Sequence, residues 1–66
     1  MEQRIKQLLK RLAFLGYCSF AIKSIIQEAI GKDSVVEIDF TQSVEVVKHL
    51  EFYEQLGAEF NQVYSK

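Results

Sequence analysis

The sequence predicts an all-α domain of three helices. Apolar residues recur at three- and four-residue spacing in three separate segments. There is no proline, and Gly16, Gly31 and Gly57 each follow an apolar-periodic stretch, where helices use a left-handed stop. At 66 residues the chain has room for one domain, spanning 1–66, and a domain of this size is marginally stable on its own.

The first predicted helix covers about Glu2 to Leu15. Ile5, Leu8, Leu9, Leu12, Ala13 and Leu15 form its apolar face, with Gln3, Lys6, Gln7, Lys10 and Arg11 mostly on the other side. Gly16 stops it, and Tyr17 is placed to pack back on Leu12. The second helix runs about Phe20 to Ile30 behind a Ser19 N-cap. Its stripe is Ile22, Ile25, Ile26, Ala29 and Ile30, and Gly31 closes it. The short joint between the two makes a helical hairpin or a helix-turn-helix.

Residues 31–40 lose the helical period. Val36, Ile38 and Phe40 alternate with Glu37 and Asp39, which predicts an extended connector with apolar residues plugging the core. The competing reading is an edge strand that pairs with another copy. The third helix begins after a cap at Asp39 or Thr41, and Asp39 with Gln42 has capping-box spacing. Val46, Val47, Leu50, Tyr53, Leu56, Phe60 and Tyr64 continue its stripe. Run to Tyr64 it would be about 36 Å long and outreach the other two. Either Gly57 breaks the helix and a short tail helix folds back, or a partner buries the overhang; an interruption near Gly57 is the preferred expectation.

Charge is divided by halves. Residues 1–32 hold Arg4, Lys6, Lys10, Arg11, Lys23 and Lys32 against Glu2 and Glu28, a net +4. Residues 33–66 hold Lys48 and Lys66 against seven carboxylates, a net −5. Such a dipole can present one face to an anion and another to a cation, or dock head to tail on a second copy.

The chemistry-bearing residues are few. Cys18 is the only cysteine and His49 the only histidine, so no intrachain disulfide or four-ligand zinc site can form. The two read as a packed turn cysteine and a boundary histidine, not as a nucleophile and base. Gly31-Lys32-Asp33-Ser34 resembles the end of a phosphate loop but lacks the upstream glycine and strand. The chain is expected to be no enzyme, with no cofactor, metal or small-molecule substrate. The absence of an apolar run of about 20 residues excludes a membrane span. A single free cysteine without a leader fits the cytoplasm.

Two binding surfaces stand out. The first would be a nucleic-acid face on helices one and two, with Lys6, Lys10, Arg11, Phe20, Lys23, Ser24 and Gln27 as contacts. Phe14 lies among the cations of helix one, where it can stack on a base, enter a lipid interface, or cluster with Tyr17 and Phe20 over the turn. The second would be a self-association face on helix three, through Phe52, Phe60, Val63 and Tyr64, where Phe52 and Val63 flank the stripe and widen it beyond what one small core needs. An acidic third helix docking on another copy's basic helix is a further mode.

One further pattern spans most of the chain: Leu15-Gly16, Ile22, Ile25-Ile26, Gly31-Lys32 with Ser34, Phe40-Thr41, Val46-Val47, Leu50-Glu51 and Leu56-Gly57. It resembles small helical modules of phage regulatory and recombination-associated proteins. Those modules tend to carry an acid after the threonine where Val44 stands. The resemblance implies a mobile-element accessory role and transfers no site residue. The sequence thus points to a regulatory or accessory module acting by protein–protein interaction or homodimerisation, with DNA binding as the alternative.

Overall fold

The computed structural model describes residues 2–64, with side chains described for 2–59. Three helices are present, α1 (Glu2–Phe14), α2 (Ser19–Ile30) and α3 (Phe40–Tyr64), and no strand occurs among the described residues. Both α1 and α2 pack on α3 and touch one another little. The core is one cluster of Ile5, Leu8 and Leu12 from α1, Ile25 from α2, and Val46 and Leu50 from α3. The predicted face of α1 is thus buried, although Ala13 is exposed and Leu15 falls in the turn.

The α1 stop follows the sequence. Gly16 is left-handed at φ 106°, its N–H donates to Ala13 O at 3.1 Å, and Tyr17 N–H donates to Leu12 O at 3.0 Å. This doubly bonded stop satisfies two carbonyls that the helix end would otherwise orphan. Gly31, at φ 74°, ends α2 with a single bond from its N–H to Gln27 O at 2.8 Å. The cap of α2 lies one residue earlier than the sequence suggested. Cys18, not Ser19, is extended, and its Sγ accepts from Ala21 N at 3.4 Å. Cys18 is also exposed rather than packed. Starting the helix at Cys18 leaves Ser19 as its first turn, where a hydroxyl has no capping role.

The connector departs from the extended reading. Val36 is 69% exposed and Phe40 72%, while Val35 and Ile38 pack on the core. Ser34 Oγ accepts from Val36 N at 3.2 Å, and the chain turns at Val36–Glu37, with Glu37 left-handed at φ 58°. That turn shifts the inward positions from alternate residues to residues three apart. The plug survives with different side chains.

Asp39 caps α3 reciprocally. Gln42 N–H donates to Asp39 Oδ1 at 2.7 Å, and Asp39 N–H donates to Gln42 Oε1 at 3.2 Å. From there α3 runs unbroken through Gly57, so the expected break is absent. The reason is a close approach. A methyl on Gly57 would stand 2.9 Å from Tyr17 Cε2 and 3.4 Å from Leu15 Cδ1. Gly57 is therefore the notch in which the α1–α2 turn sits, and its place in the helix reflects packing, not termination. Seven residues of α3 follow Gly57, an overhang of about 10 Å at 1.5 Å per residue.

A thiol accepts hydrogen bonds more weakly than a hydroxyl, and serine is among the preferred N-caps. Cys18→Ser is therefore expected to raise stability by about 0.5 kcal/mol or more. Thermal unfolding followed by circular dichroism checks this; a lower midpoint would place the cap elsewhere.

Candidate functional site

The geometry is set by what lies on either side of α3. On the α1 side, Arg4 Nη2 meets Glu51 Oε2 at 2.7 Å, and Arg11 Nε meets Glu54 Oε2 at 3.1 Å. Arg4 and Arg11 are two turns apart on one flank of α1, and Glu51 and Glu54 lie at i, i+3 on α3. The positive half and the negative half are therefore partly joined within the fold. Both pairs are solvent-exposed, so each contributes about 0.2–1 kcal/mol and serves more to set alignment than to supply stability.

On the α2 side, Tyr17 donates its hydroxyl to Tyr53 O at 2.9 Å, and the two rings meet edge to face with centroids 6.3 Å apart. Tyr53 OH reaches the Glu28 carboxylate at 3.4 Å, and Phe52 stands edge-on to Tyr53 at 5.2 Å. Two shallow depressions line this side. One, of about 300 Å³, is bordered by Glu28, Glu45, His49, Phe52 and Tyr53; the other, of about 360 Å³, by Tyr17, Phe20, Ser24, Ile25 and Tyr53. His49 Nδ1 lies 2.9 Å from Glu45 O, which fixes that nitrogen as the donor and ties the ring to its own helix. Among the described residues no three metal-binding side chains gather, and no helix is long and apolar enough to cross a membrane.

All seven nucleic-acid candidates, Lys6, Lys10, Arg11, Phe20, Lys23, Ser24 and Gln27, are exposed. Arg11 is held by Glu54, and its guanidinium also lies 5.9 Å from the Phe14 ring centre. Phe14 and Phe20 are 81% and 78% exposed, so they do not close over the turn with Tyr17. Tyr17 has instead turned to α3. Of the self-association candidates, Phe52 is 61% exposed. The side chains of Phe60, Val63 and Tyr64 lie outside the described residues.

The sequence reading missed Leu56. It was assigned to the core stripe but is 49% exposed, one turn beyond Phe52 on the same flank. A helical wheel centred on Val46 and Leu50 places both residues about 100° or more from the buried direction, and that offset was the available signal. The ion pairs of Arg4 and Arg11 were also missed, since pairing across 47 and 43 residues has no local signature. No protein-family model, curated protein or solved structure matches the chain significantly.

Burial pushes the Tyr17 hydroxyl above its ordinary ionisation value of 10.0, and repulsion from Tyr53 adds to the effect. The folded state therefore holds this proton more tightly than the unfolded chain does. The associated stability is complete below about pH 10 and is lost as pH climbs through the folded value. Denaturant midpoints measured from pH 8 to 11.5 are expected to fall above pH 10, and Tyr17→Phe is expected to flatten that fall. An unchanged alkaline slope in the variant would assign it to other groups.

Proposed function

We propose that this chain is a non-enzymatic accessory module that acts by protein–protein interaction, and that its partner is a second copy of itself. The observation that carries the reading is the exposed apolar flank of α3. Phe52 and Leu56 stand one turn apart in solvent, on a helix that runs about 10 Å beyond Gly57. Most helical stability in proteins comes from tertiary burial, and Phe52 and Leu56 supply little of it in the isolated chain. A chain of 66 residues with no disulfide or metal staple has a general need for such added burial. Phe20 borders, with Tyr17 and Tyr53, a separate shallow depression between α2 and α3.

The DNA alternative draws on the exposed Lys10, Lys23, Ser24 and Gln27. It is weakened at Arg11, where Glu54 places a carboxylate beside the best phosphate ligand of the set. A mobile-element role rests on the resemblance to phage helical modules alone.

Sedimentation equilibrium from micromolar to millimolar concentration is expected to show a mass rising toward twice the 7.7 kDa of the chain. Phe52→Ser/Leu56→Ser is expected to stay monomeric over that range with its helical content unchanged. Both residues are exposed in the isolated chain, so folding should survive the change. A wild-type protein that remains monomeric throughout would contradict the reading.

A further inference from the structure

We infer that two copies pair α3 against α3 in antiparallel fashion, about a two-fold axis that crosses this flank at the level of Glu54 along the helix. This inference rests on the self-association reading above and specifies its geometry. At 100° per residue, Lys48, Phe52, Leu56 and Glu59 fall within an arc of about 80° on α3, well away from the buried Val46 and Leu50. Lys48 and Glu59 mark one edge of the arc, and Phe52 and Leu56 fill it toward α2.

Two independent pairs on this flank share one midpoint. Phe52 and Leu56 are centred on Glu54. Lys48 and Glu59 are centred between Tyr53 and Glu54, less than one residue away. An antiparallel two-fold pairing brings each edge of the helix against the same edge of its mate. With the axis at the level of Glu54, Phe52 packs on the partner's Leu56, and Lys48 meets the partner's Glu59. Each contact occurs twice. A parallel arrangement would bring opposite edges together and leave neither charge opposite its counterpart.

The charged residues are at most loosely held. Lys48 Nζ is 3.9 Å from Glu45 Oε1, at the outer limit of an ion pair, and its side chain is 68% exposed. Glu59 is exposed and has no ion pair among the described residues. Glu45 shares the flank, and Lys48 remains close enough to offset its charge while reaching across. The pairing also covers the overhang. Residues 58–64 of one copy would lie beside residues 44–50 of the other, so the helical end that outruns its own core rests on its mate's first half.

The test is a charge-swap series in the full chain: Lys48→Glu, Glu59→Lys, and both together, each checked for helical content and measured by sedimentation equilibrium at low salt. Each single swap is expected to weaken dimerisation about three- to tenfold, because two rim pairs become repulsive. The combined swap is expected to return affinity to within about twofold of the wild type. An isotope-filtered NOE experiment on a mixed labelled and unlabelled sample is expected to show the Phe52 ring against the partner's Leu56 methyls. A dimer indifferent to the single swaps, or not restored by the combined one, overturns the antiparallel register while leaving self-association standing. A wild type that never dimerises overturns both.

Discussion

The structure depends on one close approach, the seating of Tyr17 on α3 at Gly57. The ring lies where any side chain at 57 would have to be, and its hydroxyl binds the Tyr53 carbonyl one turn earlier. Tyr17 stands directly after the left-handed Gly16, so this contact fixes the whole α1–α2 turn relative to α3. It sets the level at which α1 ends and α2 begins, and therefore how much of α3 is left over. The exposed flank and the overhang are consequences of where that ring sits.

The charge asymmetry acquires a different meaning in the fold. Read along the chain, a basic half and an acidic half suggest two external poles. In three dimensions, Arg4 and Arg11 face Glu51 and Glu54, so part of the asymmetry holds α1 beside α3. These pairs are too exposed to stabilise much, but they oppose any slide of α1 along α3. The exposed apolar side chains of α3, Phe52 and Leu56, lie on its opposite flank.

What could be read from the sequence was local. The Gly16 stop, the Asp39–Gln42 capping box and the buried stripe of Ile5, Leu8 and Leu12 each depend on residues within a turn or two of one another. Their chemistry is carried in the spacing. Gly57 was misread because its role is set by Tyr17, 40 positions earlier, and a glycine in a helical pattern suggests a stop unless something is known to press on it. The connector was misread because a turn at Val36–Glu37, with a non-glycine residue at positive φ, breaks the alternation that a strand pattern assumes. The Cys18 cap was passed over because serine is the stronger capping residue and stands next to it. Of the candidate site, Phe52 stands far outside the stripe on a helical wheel, whereas Leu56, nearer the buried direction, continues the three- and four-residue spacing of the core and is told apart only by its angular offset.

The central claim, that Gly57 is a seat for Tyr17 and not a helix stop, is tested most directly by Gly57→Ala in two backgrounds. In an exposed helix interior this change stabilises by about 1 kcal/mol through propensity. Here the added methyl meets the Tyr17 ring, so chemical denaturation of Gly57→Ala should show a loss of about 1–3 kcal/mol. In a Tyr17→Ala background the same substitution should become neutral or stabilising. A stabilising Gly57→Ala in the wild-type background, or the same change in both, would contradict the account.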